Sequence, residues 1–73
     1  GDEGAGGRGV LALGHPPVRE ALVRLVHYYL LLAKEKGRTA GPLYANAVHA
    51  MRARLADTDV AVARASRAAL VAL

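Results

Sequence analysis

Between a pair of prolines and a glycine, the chain carries a long run in which apolar residues recur three and four positions apart. Over residues 17–36 this spacing predicts one face of an α-helix. The residues on that face are Val18, Leu22, Leu25, Val26, Tyr29, Leu32 and Ala33. Val23, Tyr28 and Leu30 extend the apolar surface beyond one face. We therefore expect a central helix, covered on two sides by neighbouring helices or by a partner chain.

Two further helices are predicted after this one. Pro42 suits the first turn of a helix over residues 42–56, and Asp57 and Asp59 form a turn that caps a third helix over residues 59–73. Their apolar faces are Leu43, Tyr44, Ala47, Val48, Met51 and Leu55 in the second helix, and Val62, Ala65, Ser66, Ala69, Leu70 and Leu73 in the third. No strand pattern is visible in the sequence. The predicted fold class is all-α, as a small bundle or a helical-repeat fragment.

The size of the chain limits how stable it is on its own. Its 73 residues leave room for one domain over residues 15–73, after a glycine-rich lead over residues 1–14 that is predicted to be flexible. The chain contains no Ile, Phe or Trp, so its apolar content is mostly Ala, Leu and Val. The third helix also reaches Leu73 without a capping residue. We therefore expect a fragment of a larger protein, or a small domain that depends on a partner.

The last quarter of the chain resembles a known type of repeat. Its residues that match the repeat pattern are Leu55, Asp57, Asp59, Val62, Ala65, Ala69, Leu70 and Leu73. In this run, residues 55–73 resemble the second half of a HEAT-type helical repeat. The sequence departs from the pattern at Thr58, where a proline is common, and at Ala63, where an arginine is usual. The resemblance implies that residues 42–56 form the first helix of the same repeat.

Few residues in the sequence suit catalysis or metal binding. There is no cysteine, and His15, His27 and His49 lack the spacing of metal ligands on one helix face. Ser66 lies on an alanine-rich face, where we expect it to bond back to its own helix. Asp57 and Asp59 have a capping role. The glycines of residues 4–9 are interpreted as linker, so we expect a protein without enzymatic activity, metal or cofactor.

The net charge of +4 raises the possibility of nucleic-acid binding. Arg52, Arg54, Arg64 and Arg67 flank one turn and would present a basic edge to phosphates, which is the alternative functional hypothesis. The longest uncharged stretch of the first helix, residues 25–33, is too short to span a membrane, and no leader pattern is visible. The expected setting is intracellular and soluble, in the cytoplasm or the nucleus.

The first helix carries more apolar residues than one buried face needs, and this excess favours protein binding over nucleic-acid binding. Tyr28 and Tyr29 point to different sides of a helix, so one of them is available to a partner, and tyrosine is common at protein interfaces. We predict a helical interaction or assembly module that docks onto a partner protein or onto another copy of itself. The predicted contact residues are Leu22, Val26, Tyr28, Tyr29, Leu30, Val48, Met51, Leu70 and Leu73.

Overall fold

A computed structural model describes residues 14–73 of the chain. In this part, the elements are α1 (Pro16–Glu35), α2 (Pro42–Ala53), a 3₁₀ turn (Arg54–Ala56) and α3 (Val60–Ala72). The predicted all-α fold is confirmed, and residues 14–73 contain no strand. The predicted second helix was one turn too long, because its last turn is a 3₁₀ turn. Apart from Gly14, the predicted lead and the glycines of residues 4–9 lie outside the described residues.

Both ends of α1 follow from local sequence. His15 is extended, with φ −74° and ψ 162°, because the proline after it disfavours the helical region. At the other end Gly37 has a φ of +70°, a conformation in which a side chain would be strained. Its N–H donates to the Lys34 carbonyl at 3.1 Å, and the Arg38 N–H donates to the Ala33 carbonyl at 2.7 Å. These two bonds close the helix.

The start of α3 is fixed by Asp59. One carboxylate oxygen of this residue accepts hydrogen bonds from the Ala61 N–H at 2.9 Å and from the Val62 N–H at 3.2 Å. The carboxylate thereby satisfies two of the amide groups that the first turn leaves free, and its charge suits the positive end of the helix. The predicted capping role of Asp59 is confirmed.

The core lies where the three helices meet, with α1 packed most extensively against α3. Its fully buried apolar side chains are Val23, Leu30, Met51, Val62 and Ala69. Ser66 is also fully buried, and its hydroxyl donates to the backbone carbonyl of Met51. The prediction that Ser66 bonds back to its own helix was therefore wrong. The small side chain lets the end of α2 approach α3 closely, and the hydroxyl satisfies a buried carbonyl there.

The rotation of α1 differs from the prediction. Val23 and Leu30 have no exposed surface, whereas three residues assigned to the predicted inner face, Val18, Leu25 and Tyr29, are 49%, 62% and 44% exposed. The inner side of α1 is the side that also carries Arg19, four positions before Val23. Arg19 forms an ion pair with Asp57, at the turn before α3. Three residues of the expected inner face therefore point outward, while Ala33 of the same face is buried and Val26 packs against the core.

Candidate partner-binding surface

The outward side of α1 carries a regular apolar row. Its members are separated by four, three, four and three residues, the spacing of the contact positions of a coiled coil. We call the row the α1 stripe, and it consists of Val18, Leu22, Leu25, Tyr29 and Leu32. Leu25 is the most exposed member, and Leu22 and Leu32 are partly exposed. The stripe therefore has the pattern of a helix-pairing seam, but no helix of residues 14–73 covers it.

Beside the stripe runs a second exposed row, which we call the flank row. It consists of Arg24, Tyr28, Leu31 and Glu35, spaced four, three and four residues apart on the same side of α1. Tyr28 is 64% exposed and Leu31 is 41% exposed. Arg24 also bonds to Glu20 at 2.7 Å, one turn earlier, but 72% of its side chain remains exposed. The flank row widens the apolar stripe and places opposite charges at its two ends.

The stripe leads into a groove between the end of α1 and the start of α2. The groove has a volume of about 620 Å³, and its wall is mainly apolar. Tyr29 and Leu32 continue the stripe into it, and Leu43 and Tyr44 form the opposite wall. Leu43 is 74% exposed, although the sequence pattern placed it on an inner face. An open apolar groove of this size is suited to one or two large side chains of a partner.

The predicted contact residues fall into three groups. Tyr28 and Tyr29 are exposed, as a partner-binding role requires. Leu30 and Met51 have no exposed surface, so the structure places both in the core of the domain and not on a contact surface. The others are partly buried or pack against the core, namely Leu22, Val26, Val48, Leu70 and Leu73. Leu30 is buried because it lies on the same side of α1 as Val23, and that side faces the core.

The predicted contact residues omit several apolar residues of this surface, namely Val18, Leu25, Leu31, Leu32, Leu43 and Tyr44. Val18, Leu25 and Leu32 belong to the apolar row that the sequence pattern identified, but that row was assigned to the core. The alternation of four- and three-residue steps is the signal that would have identified it as a pairing seam, because core-facing helices of globular domains usually show a wider stripe.

The predicted arginine edge is only partly present. Arg64 and Arg67 are exposed and line a shallow depression of about 420 Å³ with Leu55 and Val60. Arg54 is different, because 17% of its side chain is exposed and it donates to Asp57 at 2.9 Å. Arg52 is exposed on α2. The edge thus offers fewer free cations than the sequence suggested.

Asp57 is the centre of a buried ion cluster. Its carboxylate has 1% of its surface exposed and accepts two hydrogen bonds from Arg19, both at 2.9 Å. It also accepts bonds from Arg54 and from the Asp59 N–H, each at 2.9 Å. Hydrogen bonding to Arg19 is the main cause that lowers the pKa of Asp57 to about 2, against the opposing effect of burial. The same contact raises the pKa of Arg19. Sequence reasoning missed Arg19 entirely.

The histidines form no site with one another. His15 and His49 are exposed, and His27 is partly buried, with an Nε2 atom that makes no hydrogen bond within residues 14–73. Across the part of the chain that the structure describes, no three His, Asp or Glu side chains cluster in a way that would hold a metal ion. None of the three described helices has both the length and the apolar content that a membrane span needs.

No protein-family model, curated protein or solved structure matches this chain. The likeness of residues 55–73 to a HEAT-type repeat therefore stays a prediction, and function has to be inferred from the surface of the domain.

Proposed function

We propose that this protein is a non-catalytic helical interaction module, which docks onto another protein chain through the α1 stripe. The observation that carries the proposal is the exposure of Leu25 and Tyr29 within a row that has coiled-coil spacing. Single exposed leucines are common on soluble proteins, but an apolar row with three exposed members on one helix is typical of an interaction site.

The energetics favour coverage of this row. Burying a leucine or a similarly large apolar side chain contributes roughly 1.5–3 kcal/mol. Leu25, Tyr28 and Tyr29 are each close to half exposed or more, so a partner helix that covers them gains several kcal/mol. Their place on a 20-residue helix also makes the surface rigid. A rigid helix loses little conformational entropy when it binds.

The groove beside Leu43 supplies the second element of the proposed interface. Strong contacts in protein interfaces are usually large side chains that enter a pocket near the centre of the contact. Lys36 and Arg38 lie at the groove, so they would favour a partner with a carboxylate near its anchoring side chain.

Nucleic-acid binding is the second candidate function, and it has less support. Arg54 is held by Asp57. Arg64 and Arg67 are accompanied by Val60 and Leu55 without an aromatic side chain for base stacking. A titration of the domain with single- and double-stranded oligonucleotides at low salt tests this candidate. Binding that weakens steeply with salt and with Arg64→Ala would support it.

The proposed function is tested by placing a photoreactive amino acid at Leu25 in cells that produce the full chain. The matched control carries the same amino acid at Ala68, which is exposed on α3, away from the stripe. We expect a covalent protein adduct from position 25 and much less from position 68. An adduct with another protein or with a second copy supports the proposal, and its absence from a folded protein contradicts it.

Folding must be measured in parallel, because a substitution in the stripe would also abolish binding if the stripe were part of the hydrophobic core. Leu25→Glu is expected to leave the helical circular dichroism signal and the melting temperature nearly unchanged, since Leu25 is 62% exposed. If Leu25→Glu unfolds the protein, the stripe belongs to the hydrophobic core and the proposed function is wrong.

A further inference from the structure

We infer that the groove between the end of α1 and the start of α2 binds an acidic peptide segment of the partner, in which a large apolar side chain stands next to carboxylates. This inference rests on the proposed function and names the chemistry of the partner. Three properties of the groove carry it: its apolar wall, the sign of its charge and its position at the end of the α1 stripe.

The first property is the apolar wall. Tyr29 and Leu32 of α1 lie on one side of the groove, and Leu43 and Tyr44 of α2 lie on the other. Leu43 is 74% exposed, so an apolar side chain placed against it removes apolar surface of both partners from water. The volume of about 620 Å³ falls within the usual range of ligand pockets, roughly 300–1,000 Å³. The groove therefore has room for an aromatic side chain together with part of a peptide backbone.

The second property is the charge of the groove. Among the described residues that line it, Lys36 and Arg38 are cations and none is acidic. Both cations are exposed, and neither forms an ion pair within residues 14–73. Hydrogen bonds from such cations to carboxylates are roughly twice as strong as bonds between neutral groups. The phosphates of a nucleic acid would meet the same cations but leave the apolar wall uncovered, so the groove favours an acidic peptide.

The third property is the continuity of the groove with the stripe. Tyr29 and Leu32 belong to both, and Lys36 follows Leu32 by four residues, which is the next step of the same spacing. A partner segment that covers Leu25 and continues along α1 therefore reaches the groove, where cations replace the apolar contacts. Charge complementarity then requires that the segment is apolar along the stripe and acidic at the groove.

The connection between the two helices leaves this groove open to a peptide backbone. A Cβ atom added at Gly37 or at Gly41 would meet no atom within 4 Å. Gly41 has a φ of −90°, a value that residues with side chains adopt readily, so a side chain can be introduced there without strain. Substitution of Gly41 therefore allows a carboxylate to be placed in the groove.

The test measures binding of a capped peptide, acetyl-Glu-Leu-Trp-Glu-amide, to the full chain by NMR spectroscopy at low salt. We expect chemical-shift changes at the amides of Gly41, Leu43 and Tyr44, with a dissociation constant on the order of 1 mM. A control peptide with glutamine in place of both glutamates is expected to bind at least about threefold more weakly. Decanoate, a carboxylate on an alkyl chain, is titrated separately as a lipid-like probe.

Three variants locate the charge effect. Lys36→Gln combined with Arg38→Gln is expected to weaken binding of the acidic peptide about three- to tenfold and to remove its advantage over the control peptide. Arg64→Gln combined with Arg67→Gln removes the same charge from α3 and is expected to change the dissociation constant less than about twofold. Gly41→Asp is expected to weaken binding at least about fivefold. Its melting temperature should not fall, because an aspartate before α2 caps the helix.

The other outcomes overturn the inference. Equal binding of the two peptides, or no shift up to about 5 mM peptide, shows that the cations do not select the partner. Binding of decanoate that is tighter than that of the peptide assigns the groove to a lipid-like carboxylate. Shifts that appear on concentrating the chain alone assign it to a second copy. The photoreactive amino acid at Leu25 reports docking independently of these charges, so an adduct there without peptide binding refutes only this inference.

Discussion

The two sides of α1 have nearly the same composition and opposite environments. One side presents Val23 and Leu30 to the core, where neither has exposed surface. The other side presents Leu25 and Tyr29, which are 62% and 44% exposed. Apolar periodicity shows that a helix has apolar sides, but it does not show which side the rest of the same chain covers. In α1, the inner side differs from the outer side in that it carries the charged residue Arg19.

The largest expected effect compares truncation of one leucine on each side. Leu30→Ala removes a fully buried side chain and is expected to lower the free energy of unfolding by about 2–5 kcal/mol. The matched variant Leu25→Ala is expected to lower it by less than about 1 kcal/mol. Urea unfolding followed by circular dichroism measures both. Equal losses would mean that the two sides do not differ as described.

The next effect separates the two sides of α1 by binding. Leu25→Glu places a charge in the stripe and is expected to lower the yield of the adduct formed by a photoreactive amino acid at Tyr29 at least about tenfold. Val71→Glu is the matched control, since Val71 is 80% exposed on α3. Photo-crosslinking of both variants in cells measures the difference. If Val71→Glu lowers the yield as much as Leu25→Glu does, net charge and not the stripe controls binding.

A third prediction concerns the contact between Arg19 of α1 and Asp57 in the turn before α3. The pKa of Asp57 is about 2 in the folded protein, below its ordinary value of 3.8. The resulting stabilisation is present above pH 4 and is lost as the pH falls from about 4 to about 2, because the unfolded chain takes up the proton first. Asp57→Asn is expected to cost about 1 kcal/mol at pH 7, with allowance for solvent screening, and to flatten this pH dependence. Unfolding measured at pH 7 and pH 3 tests both, and an unchanged slope would contradict it.

The parts of the fold that depend on local chemistry were predictable from the sequence. Pro16 and Pro17 start α1, Gly37 ends it, and Asp59 caps α3, each through contacts within a few residues. The rotation of α1 was not predictable in this way. It is accompanied by the bonds between Arg19 and Asp57, which are 38 residues apart, and nothing in the local pattern around either residue indicates the pairing.

The candidate partner-binding surface was also predictable only in part. Tyr28 and Tyr29 were both named as contact residues, with one of the two expected to face the core, and both are exposed. Leu30 and Met51 were expected there too, but they fill the core because the inner side of α1 is the side that carries Arg19. Ser66 was expected to bond within its own helix. Its contact with the Met51 carbonyl depends on how closely two helices approach, which a single-helix pattern does not contain.

The Asp57 carboxylate has a consequence for how the domain unfolds. It joins the first turn of α1, the 3₁₀ turn and the first residues before α3 in one hydrogen-bonded group. Separating α1 from the turn before α3 breaks bonds to the same carboxylate that holds the 3₁₀ turn at the end of α2. Backbone amides in all three helices should therefore exchange with solvent through the same global opening, and the domain should lose its structure in a single cooperative step.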